Sequence, residues 1–264
     1  MEKFSKKYLK YFKNLPFSYF SNPIFLDFAG YLFYRNNKPV LLWQDLIYPH
    51  DFPSIFLPND KSNWINCSIA LATGEDIAKI KKENIEIKIQ LPVATEFFYS
   101  TDTFINPKHD LLRRIKQFKN NYKYVIKKNY PIKKIQEFYK LWENQKERKN
   151  YSFEEDHNFF LYCVKNLKKY LIKQIYIEIN GKLAGLAWGV FHPSDNWIGL
   201  HMKVNYKYKG LSRFLHHERA KLFKDRKLFT LGTGTREAGI TQYKTELDPI
   251  LKKEYFYILT GGKK

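Results

Sequence analysis

Three stretches of this sequence carry residues whose types and spacing could do chemistry. In FTLGTGTREAGITQYKTELDP, from Phe229, the apolar run Leu228 to Leu231 breaks into Gly232-Thr-Gly234 ahead of a candidate helix carrying Ile240, Tyr243 and Lys244. Glycines just after a strand let the backbone approach a ligand, and a following helix starts with free N–H groups. The N–H groups of Gly234 and Thr235 could therefore receive an anion or a developing oxyanion. The same spacing also makes a tight corner that binds nothing. In LLRRIKQFKNNY, Leu111, Ile115 and Phe118 form one helical face while Arg113, Arg114, Lys116 and Lys119 crowd the rest. Such a helix either contacts phosphates with a fixed array of charge or presents a solvated face. The third stretch is SFEEDHN, where Glu154, Glu155, Asp156 and His157 resemble a catalytic cluster. Carboxylates in a first helical turn mostly answer the helix dipole, and Ser152 with Glu155 reads as a capping box. Cys67 and Cys163 have no metal-ligand spacing to each other or to any histidine, so buried thiols and no metal are expected.

The elements that must position these groups are legible from periodicity. Phe4, Tyr8, Tyr11 and Phe12 stand at helical spacing among lysines. From Ile24 to Asp45 the pattern reads as a hairpin turning at Asn36-Asn37. A loop over 46–63 is followed by a strand from Trp64 to Leu71, a helix from Gly74 to Asn84 and a strand from Ile85 to Ile89, ahead of Pro92. After the basic helix come two more helices, one striped by Ile135, Phe138, Tyr139 and Trp142 and one by Phe160, Cys163, Val164, Leu167 and Leu171. IYIEI, a turn at Asn180-Gly181, LAGLAWGVF and WIGLHMKV then give three antiparallel strands, the last bearing His201. A histidine needs little tuning to accept a proton near neutrality. Lys207-Tyr-Lys209-Gly210-Leu-Ser212 opens a further helix, and the alternating strand Glu254 to Leu259 closes the pattern.

Composition bounds the partners. A hydrophobic content of 44% with 18% aromatics excludes a disordered chain. No apolar run has the ~18 residues of a membrane span, and lysines occupy the place of a signal-peptide core, so a cytoplasmic protein is expected. The charge of +20, from 46 basic against 26 acidic residues, favours an anionic partner: RNA, anionic lipid or a phosphorylated cofactor.

Three antiparallel strands, a helix, a strand, a helix and a last strand, preceded by two helices, resemble the Gcn5-related N-acyltransferase (GNAT) fold. EFFYSTDTF, LLRRIKQFKNNY, LWENQKER, FEEDHNF, IEINGKLAGLAWG and LGTGTREAGITQYKTELDP further resemble the family sharing the C-terminal domain of phosphatidylglycerol lysyltransferases, over about residues 20 to 260. The closing pattern is also similar to Fem-type peptidyltransferases. The resemblance implies an α/β (α+β) architecture of tandem GNAT-like lobes, 1–105 and 106–264, with mixed, mostly antiparallel sheets flanked by helices. It places the probable active site in the second lobe. Two departures stand out: Ser212 replaces the second glycine of the donor turn, and Gln242-Tyr243-Lys244-Thr245-Glu246 departs from the usual approach to the proline.

From the resemblance follow the expected roles. Lys244 matches the family lysine and would offset charge on an acyl carbonyl, while Glu178 on a central strand, with His201 as its rival, would act as general base. Lys207, Lys209, Gly210 and Ser212, flanked by Arg113 and Arg114, would bind the donor phosphates. The expected function is transfer of an acyl or aminoacyl group from acyl-CoA or aminoacyl-tRNA to an amine or hydroxyl. The alternative is a non-catalytic basic module that binds RNA or an anionic membrane surface.

Overall fold

The computed structural model describes residues 1–12, 15–44, 52–145, 154–234 and 238–263. The chain forms two compact units, one of Met1–Phe97 with Gly232–Lys264 and one of Phe98–Leu231. The sequence reading set the division near residue 105 and gave the last stretch to the second lobe. That stretch joins the first unit instead, because its final strand pairs there.

In the first unit β1 (Glu2–Lys3) pairs antiparallel with β2 (Gly30–Arg35), which continues into β3 (Lys38–Trp43). The turn between β2 and β3 is the expected one: Asn36 and Asn37 both take positive φ, as a two-residue hairpin of right-twisted strands requires. The expected amphipathic helix near the start is a 3-10 segment, Lys6–Tyr11, that buries Phe4 and Phe12 at its flanks but leaves Tyr11 exposed. The expected strand at Ile24 is helical. Asn22 accepts from the Phe25 N–H at 2.8 Å and Pro23 pre-sets the first turn, so α1 (Pro23–Ala29) forms before the hairpin. A short 3-10 turn at Lys61–Trp64 precedes β4 (Ser68–Ala72). The reciprocal Thr73–Asp76 capping box then starts α2 (Gly74–Lys82). β5 (Ile85–Ser100) runs through Pro92 rather than stopping before it, Pro92 falling in the exposed part of the strand.

The second unit holds α3 (Thr101–Ile105), the basic helix α4 (His109–Asn121), β6 (Val125–Lys127), α5 (Ile132–Asn144) and α6 (Glu154–Lys165). Leu171, assigned to the α6 stripe by spacing, lies beyond the helix at positive φ with its side chain exposed. Ser152 lies outside the described residues. Then come β7 (Lys173–Ile179), β8 (Lys182–Phe191), β9 (Trp197–Val204), α7 (Leu211–Lys221) and β10 (Leu228–Thr233). Strand order is β10-β9-β8-β7-β6, antiparallel except for the parallel β9–β10 pair. Asn180 and Gly181 take positive φ at the expected β7–β8 turn. Ile115 and Phe118 of α4 and Leu211, Phe214 and Leu215 of α7 pack with Ile175, Ile177 and Ile179 of β7. Trp188 of β8 stacks on Phe160 of α6, with centroids 4.9 Å apart.

The parallel pair is in register only where Trp197 and Ile198 face Phe229 and Thr230. β8 and β9 shift register between Ala187 and Gly189. Such breaks free backbone carbonyls that must find other donors. The fully buried Arg219 of α7 supplies them, donating to Trp188 O at 3.1 Å and His201 O at 3.4 Å. Back in the first unit, α8 (Ala238–Thr245) leads to β11 (Leu251–Lys263), which lies between β4 and β5 and pairs antiparallel with β4.

Candidate active site

In the first unit the surroundings of the Lys244 ammonium are built from separate segments of the chain. Helical side chains tilt toward the helix start, and Lys244 of α8 accordingly reaches back to donate to Thr233 O at 2.6 Å. It is buried, and that burial, opposed by the charge of Glu96, lowers its pKa to about 7. Glu96 of β5 is itself fully enclosed. Its carboxylate accepts from Ser18 Oγ at 2.7 Å, from the Tyr19 N–H at 2.6 Å and from Tyr255 Oη of β11 at 2.8 Å. Burial also pushes the Tyr255 phenol up. Ser18 is fixed in turn: its N–H donates to Ser21 Oγ at 3.2 Å, and its hydroxyl also accepts from the Phe20 N–H.

The Gly234 end of the glycine turn is spent on packing within the unit, as the tight-corner reading of its spacing has it. The Gly234 N–H donates to Thr95 O at 3.1 Å, so it is engaged within the unit rather than aimed at an oxyanion. A Cβ at Gly234 would lie 2.8 Å from Thr241 Oγ1 and 2.9 Å from the Phe97 ring, which makes the glycine a packing requirement. Gly232, at φ 73°, faces the ring of Tyr19. Thr235 lies outside the described residues. Beside the turn is a pocket of about 330 Å³ lined by Val93, Thr95, Gly234, Thr241, Glu254 and Tyr255, among others. A lysine with a pKa near 7 offers two kinds of chemistry here. As ammonium it can stabilise developing negative charge; as amine it can accept a proton.

In the second unit the expected donor turn and the basic helix are brought together. Gly210 starts α7 at φ 84°, and a Cβ there would stand 2.4 Å from Arg114 O and 3.2 Å from Phe118 Cβ. Only glycine lets the Lys207–Ser212 turn seat against the α4 backbone. Lys207 and Lys209 are exposed and Ser212 half-buried. Arg113 and Arg114 both pair with Asp110, yet 67% and 45% of their side-chain surfaces remain accessible.

The two expected bases sit apart from each other. Glu178 of β7 accepts from Lys127 Nζ at 2.7 Å and Tyr130 Oη at 3.1 Å, and the Lys127 contact is the chief reason its carboxyl is lowered. His201 is enclosed by Phe159, Phe160 and Trp188, 3.8 Å from Asp156, and burial lowers it to about 3 against the pull of that carboxylate. The imidazole is neutral but shut away from solvent. Asp156, expected to answer the helix dipole, pairs with the buried Lys203 at 2.6 Å. Burial would raise its carboxyl, but the charge of Lys203 and the hydrogen bonds from Lys203 and Tyr139 bring it down to about 2. Among the described residues no group of three His, Cys, Asp or Glu could hold a metal ion, and no helix is long and apolar enough to cross a membrane.

Sequence reasoning passed over Glu96, Tyr255 and Ser18. The signal for Glu96 was present: a carboxylate followed by Phe97, Phe98 and Tyr99 in a strand must find buried donors. Nothing in the local sequence of Ser18 marks it, since its partner is 78 residues away.

No protein-family model matches this sequence, and no curated protein matches it. Solved structures do match. A conserved protein of unknown function from Bacteroides thetaiotaomicron VPI-5482 superposes with a TM-score of 0.73 at 13% identity, over 86% of this chain and 85% of that one. FemX gives 0.63 at 8% identity, over 98% and 97%. L-PGS from Bacillus licheniformis gives 0.59 at 11%, over 88% and 84%. At such identities the likeness is one of fold. The mixed α/β architecture, with sheets flanked by helices and a fold shared with FemX and L-PGS, is the one that the sequence resemblance implied.

Proposed function

We propose that this protein is a transferase that moves an acyl or aminoacyl group from an activated donor, acyl-CoA or aminoacyl-tRNA, to an amine or hydroxyl acceptor. The observation that carries the reading is Lys244: a lysine buried to a pKa of about 7 and held on Thr233 O, on the helix whose Thr241 lines a pocket. Nothing about packing a helix requires a buried cation, and burying one is costly unless it is used or compensated. A fold shared with FemX and L-PGS supports the same class of chemistry.

In this reading the Lys244 ammonium stabilises the tetrahedral oxyanion more than the neutral carbonyl, which lowers the barrier rather than tightening substrate binding. Lys207, Lys209, Gly210, Ser212, Arg113 and Arg114 hold the donor phosphates with exposed charge and helix-start N–H groups. Glu178 or His201 serving as base is the weaker part, because one is ion-paired and the other enclosed.

The test is single-turnover transfer from a panel of acyl-CoAs and aminoacyl-tRNAs to amine and hydroxyl acceptors, comparing wild type with Lys244→Met. Transfer by wild type, slowed in the variant with donor binding intact, is the expected result. Equal turnover by both removes Lys244 from the chemistry. Absence of transfer across the panel, with salt-sensitive RNA or vesicle binding, would favour a non-catalytic basic module.

A further inference from the structure

The pocket beside Gly234 has a described lining that lies wholly in the first unit, and the transfer chemistry above assigns it no occupant. Its volume of about 330 Å³ is at the lower end of the range for small-molecule sites. Pro92 and Val93 of β5 and Phe256 of β11 give it apolar walls. Two of its hydroxyls have already committed their protons: Thr241 Oγ1 donates to Gly234 O, and Tyr255 Oη donates to Glu96 at 2.8 Å. A hydroxyl that has given its proton offers a ligand lone pairs rather than a donor. Glu254 of β11 adds an exposed carboxylate to the lining, an acceptor that carries full charge. The lysines on the same two elements are directed elsewhere. Lys244 bonds Thr233 O at 2.6 Å, Lys252 lies over the Phe97 ring at 5.7 Å, and Lys253 stands on the opposite face of β11 from Glu254. An ammonium group complements such a lining, because it has three donors and no acceptor, whereas a carboxylate would set lone pairs against lone pairs.

We propose that this pocket is the acceptor subsite and that its ligand is a primary amine with a short apolar body. The ammonium pairs with Glu254 and donates to the Thr241 hydroxyl oxygen, while the body rests on Pro92, Val93 and Phe256. Of the two acceptor classes left open above, amine and hydroxyl, the lining selects the amine. Lys244 follows Thr241 by three residues in α8 and bonds the carbonyl that immediately precedes Gly234. The acceptor is therefore held by the same helix and turn that hold Lys244.

The name of acceptor subsite rests on the transferase reading, but the test requires no transfer. The probe is n-hexylamine, protonated at pH 7 as a lysine side chain is, compared with n-hexanol and hexanoate of the same chain length. Amide resonances of the ¹⁵N-labelled full chain are followed through each titration. The expected result is that n-hexylamine shifts Thr95, Gly234 and Thr241 and binds about ten-fold or more tightly than hexanoate. Glu254→Gln weakens n-hexylamine roughly five-fold and leaves n-hexanol unchanged. Equal affinity for n-hexylamine and hexanoate, or shifts that avoid these residues, overturns the proposal, as does a Glu254→Gln protein that binds n-hexylamine as tightly as wild type. Should Glu254→Gln fail to fold, the amine and carboxylate comparison in the wild type decides alone. Failure of the transferase reading looks different: no transfer across the donor panel, with n-hexylamine still bound in the pocket. Failure of this inference alone appears as Lys244-dependent transfer to an acceptor with which n-hexylamine does not compete.

Discussion

At the scale of single residues the questions turn on protons. If the Lys244 ammonium stabilises an oxyanion, turnover falls as pH rises through about 7, because the amine cannot carry that charge. A general-base role would give the opposite slope, so a kcat profile from pH 5.5 to 9 separates the two. Lys244→Met is expected to lose roughly a hundred- to thousand-fold in turnover at pH 6.5 while donor affinity stays near wild type. Stability supplies a check that needs no substrate. The folded pKa of Lys244, about 7, lies below its ordinary value of 10.5. Between those limits the unfolded chain binds the extra proton, so wild-type stability gains a contribution that grows as pH rises from 7 toward 10. In Lys244→Met that contribution is absent, and urea titrations of both proteins across this window should show the wild-type curve climbing relative to the variant. Lys244 was found from sequence through the resemblance that matches it to the family lysine. Glu96 was not, because its donors Ser18, Tyr19 and Tyr255 are set by tertiary contacts that no spacing rule reaches.

At the scale of elements, the Lys207–Ser212 turn is where local sequence and packing agree most closely. Gly210 must take φ 84°, and its missing side chain is the space into which α4 fits, with Arg114 O 2.4 Å from where a Cβ would be. Gly210→Ala therefore combines a left-handed penalty with a backbone clash, and a loss of roughly 2 to 4 kcal/mol is expected. Chemical denaturation measures it directly; a loss below about 0.5 kcal/mol would mean that α4 moves aside freely. Turns and caps of this kind were legible because the residues that make them are adjacent: Asn36-Asn37, Asn180-Gly181 and Gly210 stand where the sequence put them. The failures were also local. Asn22-Pro23 outweighed the β-like pattern that follows it, since a cap and a fixed φ start a helix more firmly than alternation starts a strand. β5 passed through Pro92 because an exposed stretch of strand tolerates a residue without an N–H.

At the scale of the whole molecule, the chain leaves its first unit after Phe97 and returns at Gly232. The sequence could not announce this return, because the pairing of β11 with β4 spans most of the chain and depends on long-range register such as Ile258 opposite Ile69. What the sequence did convey is the charge of +20, and that charge yields the remaining prediction. A donor held through many phosphates releases many counterions, so log K should fall by roughly 0.7 to 0.9 for each phosphate neutralised per tenfold rise in salt. Aminoacyl-tRNA would lose orders of magnitude in affinity between low and physiological salt, whereas acyl-CoA, with few phosphates, would change little. The basic helix decides how much of this is local. Arg113 and Arg114 are exposed and, among the described residues, form ion pairs with Asp110, so Arg113→Gln with Arg114→Gln should leave the melting temperature nearly unchanged. If the α4 face holds donor phosphates, the same double variant flattens the salt slope by about one to two phosphate equivalents. Fluorescence-anisotropy titrations of labelled donor at several salt concentrations give that slope for both proteins. An unchanged slope would make α4 a solvated face and leave donor binding to the Lys207–Ser212 turn alone.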